Sequence, residues 1–424
     1  MAGANTGAIS SGRRNYVVVL VLLITLVSFL DRQVLSILVE PIKRDLRLSD
    51  GQMGALTGLF FFLFYAAAGL PMARIADRYD KRKVMSVCIV GWSVANGLAG
   101  ATTNFIQLAI CRTMAGIGDA GCSPAITSVV AELFPPAKRP GIFAAVSAAS
   151  AVGIGISLFL GGTLVEHMSW RVVMFVLALP GLLLAILVWT TMPPLAQTKK
   201  EDLPPMLATL TGLWRIPTYR ALTVIIFFAS ASGFALIAWT AAMFIRTHGL
   251  SPSKAGLIVG ACMSGGFLVG NMLCGYIANR LAARDPRFLP AILGASLIAN
   301  VALALVALAS SDLTMAVVAF AVMLVSGGFW APIALTLTMG LARPQIRAVT
   351  ASTFGIILSV GGAVGPVVVG IFADRLTPIY GVMSIRYAMA ISLGGYFIAA
   401  IASAFVFKSL RNDLLTDEPI TIGH

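Results

Sequence analysis

Apolar residues in this chain fall in long runs, not in the period-two alternation of a half-buried strand or the narrow stripe of a helix on a soluble domain. Each run is about the length a helix needs to cross a bilayer, roughly 20 residues. The breaks predict helices near 16–38, 53–76, 84–103, 106–131, 140–163 and 170–192, then near 219–246, 253–278, 287–309, 313–341, 348–373 and 384–408. The longest break holds Lys199, Lys200, Glu201, Asp202, Pro204 and Pro205. The expectation is an all-α membrane protein with twelve transmembrane helices in two six-helix halves. Residues 1–192 form the first half, 193–218 a cytoplasmic linker, and 219–424 the second half with a short tail.

Composition strengthens this reading. Charged residues make up 11% and apolar residues 58% of the 424, against roughly 25% and 45–50% in a globular domain. The net charge of +13 does not suggest nucleic acid, because the basic residues sit in short clusters between apolar runs. Those clusters orient the chain. With both termini cytoplasmic, cytoplasmic segments hold 20 of the 30 Lys and Arg: Arg13 and Arg14, five between Arg74 and Lys83, Lys138 and Arg139, four between Lys199 and Arg220, three between Arg280 and Arg287, Arg343 and Arg347, and Lys408 and Arg411. Outer segments hold 8, and Arg32 and Arg112 lie within helices. Positive loops stay inside, so a multi-pass protein with both termini in the cytoplasm is expected. Arg13 and Arg14 precede an apolar run as in a signal peptide, but the run is too long and has no cleavage site, so it is read as the first span. Cys88, Cys111, Cys122, Cys262 and Cys274 stand apart from one another and from His, which predicts neither disulfide nor metal site.

Four ionisable residues lie deep in apolar runs: Asp31, Arg32, Arg112 and Asp119. Charge at that depth is costly unless paired or wet, and marks a proton or ion path by default. By helical rise, Asp31 of the first helix and Arg112 of the fourth reach one level, and Asp119 is about two turns deeper on a similar face. Asp31 and Arg32 point about 100° apart. The pattern supports proton coupling through Asp31, with Arg112 tuning it, Asp119 as a second acid and Arg32 as a neighbour. A fixed Asp31–Arg112 salt bridge that only joins two helices is the competing reading.

The second half has no charge in the middle of a helix. Its aromatic and neutral polar residues suggest a greasy cavity wall; Phe228, Trp239, Asn271, Phe329, Trp330 and Met339, with Phe64 and Tyr65 from the first half, are the candidate lining. An amphipathic cargo suits a charged wall facing an apolar one. His167, His248 and His424 lie at helix ends or the terminus, and neither a P-loop nor a nucleophile–base pair is present. No enzyme and no cofactor are therefore expected. A channel would need a ring of repeated pore-lining groups, which charge confined to one half does not provide.

An internal repeat is visible: Ala73-Arg-Ile-Ala-Asp77-Arg78 ends the second helix and Gly275-Tyr-Ile-Ala-Asn279-Arg280 the eighth. Parallel repeats of this kind place a transport site between the halves. Ala73 to Lys83 resembles the major facilitator superfamily signature between helices 2 and 3, and Arg112-Thr-Met-Ala-Gly116-Ile-Gly118 resembles its helix 4 signature. More narrowly, Phe29-Leu-Asp31-Arg32-Gln33, Ile37-Leu-Val-Glu40-Pro41-Ile42, Gly118-Asp119-Ala-Gly-Cys-Ser-Pro124 and the segment from Trp239 to Arg246-Thr-His248-Gly249-Leu250 are similar to bacterial homologues of the spinster lipid transporters. The likeness runs over about residues 15–408. Departures are Ala73 and Asp80 at the usual glycines of the first signature, Asp119 where the family usually has Glu, and Ser157-Leu158 where antiporters carry Gly-Pro, which leaves the direction of coupling open.

The resemblance implies alternating access, driven by protons, for a lipid-like molecule of lysophospholipid or sphingoid type. A drug or metabolite carrier, or an uncoupled facilitator, is the alternative. It implies a cytoplasmic gate of Asp77, Arg78, Arg82 and Glu132 that latches the halves when the cavity faces outward; plain loop charges are the competing account. It further implies a monomer in a bacterial inner membrane, whose partners are protons, the lipid bilayer and an amphipathic lipid-like substrate.

Overall fold

The structure, a computed structural model, describes residues 11–135, 138–193, 206–342 and 346–413. Helix covers each of the twelve predicted stretches. Among the described residues, nine stretches combine the length and apolarity needed to cross a membrane. Most of the expected linker, 194–205, lies outside the described residues, and Met206–Trp214 within it is helical.

Two helices break where proline dictates. The predicted helix 106–131 is two segments, Phe105–Asp119 and Cys122–Leu133, and 313–341 is likewise Leu313–Gly327 and Trp330–Gly340. Pro124 follows Phe105 by nineteen residues and Pro332 follows Leu313 by nineteen. A proline ring clashes with the carbonyl four residues earlier, so each chain bends at the same register, as the two-half repeat requires. The second helix starts at Asp50, capped by Ser49 and Gln52 acting reciprocally, and passes through a π-turn at Ala55–Leu59 before continuing as Phe60–Arg78.

Small residues set how the halves meet. Arg139–His167 packs along Pro252–Ala282, where a Cβ on Gly162 would stand 2.3 Å from the Pro252 carbonyl and one on Gly256 2.1 Å from that of Leu158. The Gly361, Gly365 and Gly370 stripe works in the same way. A Cβ on Gly365 would stand 1.9 Å from the Ala231 carbonyl and one on Gly370 2.3 Å from that of Asp50, so the stripe seats Arg347–Tyr380 against both halves.

Each half brings its own ends together: Tyr16 meets Thr191, and Thr218 meets Asp413. Polar contacts between the halves run from mid-depth to the opposite side. Gln33 donates to the Ile237 carbonyl, Ser264 to that of Ala151, and Arg246 to Glu40 and Asp50. On the side of the chain ends no hydrogen bond or ion pair joins the halves among the described residues. Among the described residues, the ion pairs that join the halves lie on the side away from the chain ends.

Candidate functional site

At mid-depth the first half assembles its charges around aromatic rings. Arg32 ion-pairs with Asp119 Oδ2, and Ser28 Oγ donates to Asp119 Oδ1 at 2.6 Å. The Arg32 guanidinium lies over Phe29 at 4.8 Å, Phe61 at 4.9 Å and Tyr65 at 5.2 Å, with Phe62 at 6.0 Å. Rings in a low-dielectric site stabilise a cation at about 2 kcal/mol or more. Its Nε has no partner among the described residues.

The pairing differs from the sequence expectation. Asp31 forms no ion pair with Arg112; Trp92 Nε1 donates to its Oδ2 at 3.0 Å, and Gly181 of the sixth helix, where a Cβ would stand 3.6 Å from Oδ2, closes over it. Arg112 donates through Nε to the Leu56 carbonyl at 3.2 Å and through Nη1 to Asn96 Oδ1 at 3.4 Å, beneath the Phe61 ring. The physical reason is direction. Adjacent residues diverge by about 100°, so Asp31 turns to the Lys81–Ala99 helix while Arg32 turns to Asp119 across the bend before Pro124. The Leu56 carbonyl lies in the π-turn, a feature common at functional sites; nothing in the sequence signalled it.

The second half contains a cavity of about 240 Å³, walled by Phe234, Phe267, Asn271, Asn300, Trp330 and Tyr396 among others. Phe234 lies 4.5 Å, centroid to centroid, from Phe62 of the Arg32 cage, so the two regions adjoin. Of the expected lining, Asn271 and Trp330 are there and Tyr65 is in the cage. The rest are elsewhere. Trp239 is buried, its indole N–H donating to the Pro366 carbonyl at 3.0 Å. Phe228 packs on Phe227 and against the core, Phe329 turns its carbonyl to the Cys274 thiol, Met339 lies near the end of its helix, and Phe64 is exposed.

The expected gate residues all lie within the first half's chain. Glu132 pairs with buried Lys81, and Arg82 with Asp80. Arg78 is exposed, and the side chain of Asp77 lies outside the described residues. Among the described residues, the charges that pair across the two halves lie on the other side: Arg246 binds Glu40 and both oxygens of Asp50, Lys43 binds Asp50 at 2.6 Å, and Asp374 accepts from the Asp50 and Gly51 amides. Glu40 and Arg246 stood in segments quoted for the family likeness, but their meeting required the fold. Nearby, Trp170 and Arg171 donate to Asp45 and hold its carboxyl below the usual range.

These features define a class. The Major Facilitator Superfamily model matches residues 21–366, and the chain belongs to that superfamily; it is a multi-pass membrane transporter and not an enzyme. It is 30% identical to an MFS-type efflux pump of Mycolicibacterium smegmatis over 403 residues, 93% of each chain. It is 26% identical to human protein spinster homolog 1 over 411 residues, covering 87% of this chain and 74% of that one. Its fold matches the crystal structure of a bacterial homologue of the human lysosomal transporter Spinster in an inward-facing, unoccupied conformation, with a TM-score of 0.85, 24% identity, and coverage of 96% of this chain and all of that one.

Proposed function

We propose that this transporter moves a single-tailed, anionic or zwitterionic lipid-like molecule across a bacterial inner membrane by proton-coupled alternating access, acting as a monomer with both termini in the cytoplasm. The observation that carries the reading is the Arg32 cage: a guanidinium, partly open at 17% of its side-chain surface, held by a carboxylate and beside an apolar cavity. Protonation of Asp119 would free Arg32 for a head group through charge-assisted hydrogen bonds. Asp31, with Trp92 as its donor and no cation in ion-pair range, is the second proton carrier, and Arg112 fixes the wall between them. The tail lies along Phe234, Phe267 and Trp330. With the side of the chain ends cytoplasmic, as the Lys and Arg bias suggests, the Arg246 ion pairs on the other side support reading this arrangement as the inward-open step.

The test is uptake of lysophospholipid into proteoliposomes under an imposed pH gradient. Wild type should respond to the gradient, Asp31→Asn should fold but lose that response, and Trp330→Ala should impair long tails more than short. An Asp31→Asn variant that responds like wild type would remove Asp31 from coupling, and preference for small sugars would end the lipid reading. Orientation is checked separately: an impermeant thiol reagent added outside should label Thr103→Cys and spare Ala283→Cys.

A further inference from the structure

Two neutral polar side chains in the cavity of the second half each carry a polar atom that no protein group uses among the described residues. Asn300, in the middle of Phe288–Ala309, is 1% exposed, and Tyr396, near the start of Gly394–Asp413, is 4% exposed. Asn300 donates from Nδ2 to the Ser296 carbonyl at 2.8 Å, but its Oδ1 accepts from no donor among the described residues, and the Tyr396 hydroxyl is likewise without a partner there. Both residues line the cavity, where their free polar atoms can be satisfied by whatever occupies it.

Space has been kept over both atoms. Gly327, before the Pro332 bend, faces Asn300; a Cβ there would stand 3.3 Å from Oδ1. Gly233 faces Tyr396, and a Cβ would stand 3.1 Å from its hydroxyl oxygen. Both glycines, Asn300 and Tyr396 line the same cavity, whose other walls are largely apolar. The amide offers an acceptor, and the phenol can both donate and accept.

We propose that this pocket is a specificity site for an uncharged hydroxyl carried on an otherwise apolar part of the ligand. The hydroxyl donates to Asn300 Oδ1 or accepts from the Tyr396 O–H, and a ligand lacking it leaves those groups buried and unpaired. This deepens the amphipathic-cargo reading by adding a third recognition element beyond head and tail. It does not depend on the head group, because Arg32 and Asp119 take no part.

The experiment uses neutral probes of matched shape, 1-naphthol and 1-methylnaphthalene, titrated into the purified full-length protein with tryptophan fluorescence as readout. Wild type should bind the naphthol roughly 3–10-fold more tightly, the value of one net hydrogen bond. Asn300→Leu and Tyr396→Phe should bring the ratio toward one while leaving methylnaphthalene affinity within about twofold, and Gly327→Ala should weaken the naphthol by crowding Oδ1. An unchanged ratio in both polar variants, or no naphthol preference in wild type, overturns the proposal and leaves a cavity that is merely hydrated. Arg32→Gln separates the two readings: it should abolish lysophospholipid uptake and keep the naphthol preference, so either can fail alone.

Discussion

The two halves bend at the same register and place different chemistry at the bend. In the first, the residue five before the proline is Asp119, bound to Arg32 inside a ring of aromatics; in the second, the residue five before Pro332 is Gly327, facing the amide of Asn300. One repeat supplies charge that can gain or lose a proton, and the other supplies neutral groups that cannot at any ordinary pH. Local backbone is conserved between the halves while function is divided, which is possible because the bend is fixed by proline sterics and the side chain five residues away is not. Under the proposed function this asymmetry is useful: protons would act on one wall, and the apolar remainder of a ligand would rest on the other, away from the charges.

The largest test of that division is removal of one charge. Arg32→Leu leaves Asp119, at 7% side-chain exposure, without its cation, and breaking such a pair costs about 3–5 kcal/mol. Asn300→Leu in the second half should cost under about 1 kcal/mol, since the acceptor it removes has no protein donor among the described residues and the one hydrogen bond it loses goes to the Ser296 carbonyl of its own helix. Denaturant or thermal unfolding in detergent checks both. The double variant Arg32→Leu with Asp119→Leu should recover much of the loss, as mutually dependent residues do; strict additivity would mean that the ion pair is not what holds the site. Equal losses in the two halves would erase the comparison.

A smaller effect is expected where the halves join. Arg246 belongs to the second half and its carboxylates, Glu40 and Asp50, to the first. The Arg246 guanidinium lies 5.7 Å from the centre of the Trp239 ring, and Arg246→Met keeps an unbranched apolar side chain there while removing the charge. The latched side should then open more often, seen as a broadened distance distribution between spin labels at Asp45 and Ser251. Unchanged distances would assign closure to the glycine-mediated helix contacts alone.

How much of this was legible in the sequence follows the same division. Ionisable residues stand out in apolar runs because water is absent, so Asp31, Arg32, Arg112 and Asp119 could be named from the chain alone. Their partners could not. One helical step separates Asp31 from Arg32, and a bend and a π-turn decide which neighbour each meets. Aromatics carry no such signal, since Trp239 looks the same in sequence whether it faces a cavity or, as here, the Pro366 carbonyl. Asn300 was as anomalous in its apolar run as Asn271 and could have been found by asking where every neutral amide is satisfied. The latch of Glu40, Asp50 and Arg246 joins residues some two hundred positions apart, beyond any local pattern.

The smallest expected effect concerns acid, and it asks whether charge on the first half matters at its rim as well as at its centre. Asp45 accepts from Trp170 and Arg171, and these hydrogen bonds hold its carboxyl below the usual range. A carboxyl whose folded-state pKa is depressed adds stability that is present above its unfolded pKa, about 3.9, and that is lost as pH falls through the depressed value. The contribution is modest because the side chain is 46% exposed and solvent screens the pair. Asp45→Asn should therefore melt slightly below wild type at pH 7, and the gap should close as the pH is lowered through 4 and below. Asn300→Leu should show a gap that does not move with pH, because neither residue titrates there. If both gaps moved together, the acid response would belong to the whole molecule, and the assignment of titratable function to the first half would fail.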